Sequence, residues 1–254
     1  MNVELTSWMM VFVRVGAMLS VFPVFSDPNF PKRVRLALGA LVAWLVVPTL
    51  PAMNVDVGSL WSVVRVIALE TMIGLLLGFS SKMIFYALDM AGGIVANEIG
   101  LQLPASVNPM SGGQVTAPGM LLNYLAAVIW LSLDLHHWLL LGFQRTYFFL
   151  PVGGGHLSES LLLDLLARFR GVFVVALQMA APVMAVSFII SLVFSVLGRA
   201  VPQMNVFSES FAVKILAGLT VFGLTIQLMA QHIVNYLNRL PEDFLRVAQL
   251  LGSA

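Results

Sequence analysis

Cysteine is absent from this chain, which excludes a disulfide framework, a thiolate metal site and a cysteine nucleophile. Charge is scarce. Lys, Arg, Asp and Glu make up 10% of the 254 residues, against about 25% in a soluble globular domain. That is too little to solvate an ordinary surface. The net charge of +1 gives no basis for binding nucleic acid. Catalytic signatures are missing as well: there is no P-loop, no G-x-S-x-G and no H-E-x-x-H. The glycine-rich PVGGGHL at 151–157 lacks the Lys and Ser/Thr of a phosphate loop and reads as a turn. The four His and twelve acids are scattered singly, so the chain is expected to be no enzyme and to hold no cofactor and no metal.

What fills the sequence instead is apolar. Hydrophobic residues are 59% of the total, and the mean hydropathy is +0.95. The N-terminus, MNVELTSWMM, has no basic region and no small-residue cleavage site, so the first apolar run is expected to be retained. A helix needs about 20 apolar residues to cross the hydrocarbon core. Six segments are candidates: Ser7–Phe25, Leu36–Leu50, Leu60–Met90, Met120–Phe143, Gly171–Leu197 and Phe211–Tyr236. Only the last two read as clean spans. The first contains Arg14 and Pro23, the second is short, the third carries Arg65, Glu70 and Lys82, and the fourth carries Asp134, His136 and His137. Lys32, Arg33 and Arg35 lie between the first two segments, and the next loop has only Asp56. The positive-inside rule then places 31–35 in the cytoplasm and the N-terminus outside. Two amphipathic helices are expected outside the runs, at SESLLLDLLARFRG (158–171) and PEDFLRVAQLL (241–251). Each reads as an interfacial helix along a membrane or against a neighbour.

A charge at mid-bilayer costs about 3 to 15 kcal/mol. Arg14, Glu70 and Asp134 must therefore face protein or water rather than lipid. Glu70, Gly74 and Gly78 recur every four residues and share one helix face, and Gly-x-x-x-Gly permits close helix approach. An acid on a glycine face asks for tight packing against a donor, either Arg14 or a base on another subunit. A structural buried pair, an intersubunit pair and an ion or proton path all satisfy that demand. His136 and His137 are adjacent, so on a helix they point about 100° apart and do not readily share a metal.

Between the third and fourth runs, 99–133 carries no charged side chain, yet Pro104–Gly119 is dense in Pro, Gly, Ser and Asn. Gly112 and Gly113 allow sharp bends, and Pro104, Pro109 and Pro118 oppose continuation of either helix. Non-helical backbone at membrane depth is tolerated only where it is buried in protein or lines a cavity. An ordinary surface connector is the alternative.

Several stretches together resemble one family: SDPNFPKRVRLALGALVAWLVVPTLP (26–51), NEIGLQLPASVNP (97–109), LDLHHWLL (133–140) followed by FFLPVGG (148–154), and LGRAVPQMNVF (197–207). They are similar to the FliR family of the flagellar type III export gate, which has a paralogue in virulence injectisomes. The chain departs from that pattern at Asp134-Leu135-His136-His137. The resemblance implies an all-α fold of membrane-associated helical hairpins. Residues 1–170 would be FliP-like and 171–254 a FliQ-like hairpin with a C-terminal amphipathic helix. It implies a subunit of the bacterial inner membrane and flagellar basal body, assembled with FliP-like and FliQ-like chains and passing unfolded export substrates. It also implies that Pro104, Ala105, Ser106, Val107, Asn108, Pro109, Met110, Ser111, Gly112, Gly113 and Gln114 plug the channel. Arg199, Pro202, Gln203 and Asn205 would face the cytoplasmic entrance, although Pro202 could equally shape a tight turn with Arg199 at the preceding helix end. An ion-coupled secondary transporter is the competing class. It would show paired broken repeats, and the two halves of the chain do not match in length or charge position.

Overall fold

A computed structural model describes residues 2–27, 30–50, 59–101, 116–203 and 205–252. Among these residues the chain is all helix, without a strand. The helices are α1 (Asn2–Val21), α2 (Lys32–Val46), α3 (Leu60–Glu98), α4 (Ala117–Ser132), α5 (Leu135–Phe149), α6 (Glu159–Ala200), α7 (Val206–Leu237) and α8 (Leu240–Gly252). Among the described residues, three stretches are long and apolar enough to cross a membrane: α3, α6 and the stretch Ser208–Gly252 that holds most of α7. The bent pair α4 and α5 could supply a fourth.

The chain divides into two compact units. The first comprises 1–83, 130–169 and 236–254; the second comprises 84–129 and 170–235. The core of the first unit joins Val11, Val15 and Met18 of α1, Ala43 of α2, Ile73 and Leu77 of α3, and Phe143 of α5. The amphipathic C-terminal segment forms α8 with Glu242 and Asp243 in its first turn, where acids suit the dipole. Its apolar face, Phe244, Val247, Ala248 and Leu251, is buried in this core. Of the two placements expected for this helix, along a membrane or against a neighbour, its apolar face takes the second, within the chain itself.

In the second unit α3 ends as its sequence directs. Gly100 takes φ 75°, Leu101 N–H donates to the Ala96 carbonyl at 2.8 Å and Gly100 N–H to the Asn97 carbonyl at 3.2 Å. This is a Schellman stop, which needs a residue able to adopt the left-handed conformation. Chain direction is recovered at Thr116, whose Oγ1 accepts from Gly119 N–H as an N-cap. Pro118 lies in the first turn of α4, where its missing N–H costs no helical bond. The connecting segment is thus shorter than the sequence suggested, with 116–119 belonging to the start of α4. There, α3 and α4 cross almost backbone to backbone, because a Cβ on Gly92 would overlap the Gly119 backbone. Asn123 Nδ2 seals the crossing by donating to Asp89 Oδ1 at 2.5 Å.

Two boundaries differ from the sequence reading. The fourth apolar run is broken at Leu133–Asp134, between α4 and α5. Asp134 adopts φ 52° there, the one non-glycine residue with positive φ among those described. The segment 158–171, expected as a separate interfacial helix, is the start of the 42-residue α6. A lone glycine costs only about 1 kcal/mol in a helix, so Gly171 does not interrupt it. Ser158 caps this start: its Oγ accepts from Leu161 N–H at 3.2 Å and donates to the Leu250 carbonyl near the end of α8 at 3.1 Å.

Candidate functional site

The two ionic residues that the apolar runs made most costly are brought together. Arg14 on α1 and Glu70 on α3 are both fully buried. Glycine makes the approach possible. A Cβ on Gly74 would overlap the Arg14 carbonyl oxygen, and one on Gly78 would lie 2.6 Å from the Met18 carbonyl oxygen. With α1 and α3 that close, the Arg14 side chain reaches Glu70 one turn from Gly74. Its Nε donates to Oε2 at 2.5 Å and its Nη2 to Oε1 at 2.9 Å. This two-pronged geometry is the strongest arrangement available to an arginine and a carboxylate.

The pair recruits groups that sequence reading missed. Arg14 Nη1 and Nη2 both donate to the Leu150 carbonyl at 3.2 Å, and Nη1 reaches Thr146 Oγ1 at 3.4 Å. Leu150 closes the C-terminus of α5, so the guanidinium satisfies a carbonyl left over at a helix end, where a cation is favoured. The Tyr147 ring stacks on the guanidinium, 3.9 Å from its carbon to the ring centroid. Glu70 Oε1 accepts a further bond from Gly153 N–H at 3.0 Å, and Gly153 has φ 76°. The glycines of 153–155 were the available sequence signal, since they mark a turn that can aim a backbone N–H. The arrangement is a closed polar knot joining α1, α3 and the end of α5. With no exposed surface on either ion, each charge is held by the other and by the polar groups around it.

Asp134 is placed differently. Its carboxylate is 73% exposed at the α4–α5 break, beside His136 and His137. Arg199, Pro202, Gln203 and Asn205 are all exposed around the α6–α7 turn. Pro202 and Gln203 form the turn, Arg199 sits in the last turn of α6, and Asn205 Oδ1 caps α7 by accepting from Ser208 N–H at 3.3 Å. Residues 104–114, the expected plug, lie outside the described residues.

The pattern that defines the bacterial export proteins, family 1, matches residues 5–240. The chain belongs to this family. It is 28% identical over 255 aligned residues to the flagellar biosynthetic protein FliR of Escherichia coli (strain K12), covering 96% of each chain. It is 29% identical to FliR of Pectobacterium carotovorum subsp. carotovorum, over 92% of this chain and 90% of that one. With FliR of Bacillus subtilis (strain 168) the identity is 26%, over 82% of each. The likeness first read from short motifs around Lys32 and Arg199 therefore extends along nearly the whole family member, and the chain is a FliR family member with an all-helical fold.

Proposed function

We propose that this family member is a non-enzymatic subunit of the flagellar type III protein export apparatus in the bacterial inner membrane. It joins FliP-like and FliQ-like chains to form and close a channel for unfolded export substrates. The observation that carries this reading is the family match along residues 5–240, beside three stretches long and apolar enough to cross a membrane. The relatives that the chain resembles along most of their length are flagellar biosynthetic proteins. An ion-coupled transporter would show paired broken repeats, and the two halves of the sequence do not match in length or charge position. This favours an export subunit over a transporter acting alone.

Within that assembly, residues 1–170 form the FliP-like part and 171–254 the FliQ-like hairpin. The neutral segment 104–114 plugs the resting channel between the Schellman stop of α3 and the Thr116 cap of α4. Without charge it has no strong electrostatic tether to hold it shut. Arg199, Gln203 and Asn205 offer exposed polar groups, and Pro202 an exposed turn, to the next component at the cytoplasmic entrance.

Co-expression with FliP-like and FliQ-like chains tests the assembly: the three are expected to purify together through size exclusion. A chain that purifies as a stable monomer from the same cells sinks the reading. Deleting 106–114 tests the plug separately. Ion leak through the complex is expected to rise, and an unchanged leak from an intact complex removes the gating role.

A further inference from the structure

The break between α4 and α5 gathers three metal-ligating side chains that the export role does not use. Asp134, His136 and His137 each direct one ligand atom into a group whose members lie within 4.8 Å of one another. Asp134 Oδ1 is 3.9 Å from His136 Nε2 and 3.7 Å from His137 Nδ1. Adjacent histidines are expected to diverge, yet here their ring centroids are 4.1 Å apart, and a left-handed Asp134 precedes the helix that carries them.

The carboxylate is not engaged in capping. Asp134 is the N-cap residue of α5, a position where an aspartate ordinarily accepts from a backbone N–H two or three residues on. It makes no such bond. Instead the carboxylate is turned to the two imidazoles, and the helix start is closed by backbone alone, with His137 N–H donating to the Asp134 carbonyl at 3.0 Å.

The geometry points to a divalent transition-metal site of the zinc class, formed by Asp134, His136 and His137. A tetrahedral zinc with bonds of about 2.1 Å holds its donors about 3.4 Å apart. The two histidine nitrogens stand 3.9 and 3.7 Å from the carboxylate oxygen, so small side-chain rotations complete the set. One carboxylate and two imidazoles suit zinc better than magnesium or calcium, which prefer oxygen donors alone. Three protein ligands leave a coordination position to water. The side chains of Asp134 and His137 are 73% and 67% exposed, so the ion enters from outside without opening the fold. His136 Nδ1, the ring nitrogen behind the ligating one, is buried with no partner. Backing partners of that kind raise metal affinity about 10- to 100-fold, so this site is weaker than a structural zinc site. Bound metal joins the left-handed residue to the first turn of α5.

The test uses the full-length chain carrying an affinity tag without histidine, purified in detergent and dialysed against zinc chloride. The wild type is expected to take up one zinc per chain. His136→Ala and His137→Ala are each expected to weaken uptake at least about tenfold. Asp134→Asn should do the same while keeping a residue that tolerates the left-handed backbone. His156→Ala and His232→Ala, remote in sequence, should leave uptake unchanged. A wild-type chain that takes up no zinc from an excess of zinc chloride overturns the proposal. So does uptake that survives in the His136→Ala/His137→Ala chain. His137 is largely exposed, so its loss leaves the fold in place and the comparison holds.

Discussion

Arg14 and Glu70 stand 56 residues apart in sequence and meet through two short hydrogen bonds in a part of the chain that water does not reach. Each ion depends on the other for its burial. Removing one leaves an uncompensated charge, at a cost of about 3–5 kcal/mol, whereas replacing both with apolar side chains of similar volume costs far less.

The first prediction follows directly. Glu70→Gln and Arg14→Met are each expected to destabilise the full chain by about 3–5 kcal/mol. The double variant Arg14→Met/Glu70→Leu is expected to lose less than the sum of the two. Chemical denaturation in detergent measures all three. Strictly additive losses would mean that the ions do not act as a pair.

Glycine substitutions should separate by sign. At Gly74 a methyl group meets the Arg14 backbone, which cannot move without shifting α1, so Gly74→Ala is expected to cost about 1–3 kcal/mol. Gly16 and Gly93 are also helical, but a Cβ there meets nothing within 4 Å. Gly16→Ala and Gly93→Ala are expected to raise stability by about 0.5–1 kcal/mol. Thermal melts of the isolated chain would reveal the contrast, and a common direction of shift at all three positions would defeat it.

Two left-handed glycines predict different severities. Gly153→Ala meets only ordinary contact with Val66 and should cost about 1–2 kcal/mol for backbone strain alone. Gly100→Ala carries the same strain and also overlaps the Phe211 ring. It is expected to be the more damaging of the two, and limited proteolysis at the end of α3 would report it as faster cleavage.

The start of α6 is tied to α8 by a small ionic network. Asp164 accepts from Arg168 Nε at 2.5 Å and Arg246 Nε at 2.9 Å, and Arg168 Nη1 reaches Asp243 at 2.9 Å. Arg246 and Asp243 are substantially exposed, so screening limits the gain. Asp164→Asn is expected to lose about 1 kcal/mol, and less in high salt. A loss that does not change between low and high salt would point to packing instead of charge.

Legibility followed the range of the forces involved. The face of α8 was readable because Phe244, Val247, Ala248 and Leu251 repeat at helical spacing. The close approach at Gly74 and Gly78 was readable because small residues one turn apart leave room for a backbone. Arg14 could be named as one candidate partner for Glu70, since few cations lie in the apolar runs. The third participant could not be foreseen, because Leu150 contributes a main-chain carbonyl and any residue carries one. The break at Asp134 was also hidden. Its signal is a single left-handed residue in a run of apolar ones, and hydropathy has no sensitivity to φ. The union of 158–171 with the helix beyond it was missed for the opposite reason. A change from amphipathic to uniformly apolar composition looked like a boundary, although nothing there stops the hydrogen-bond ladder.

The apolar side chains left uncovered on α3, α6 and α7 carry a consequence for biogenesis. So much grease on the outside of a polypeptide does not tolerate water for long, so the newly made protein has to be handed to a bilayer as it emerges. Cells that make it faster than that handover will hold a surplus that clumps or is destroyed.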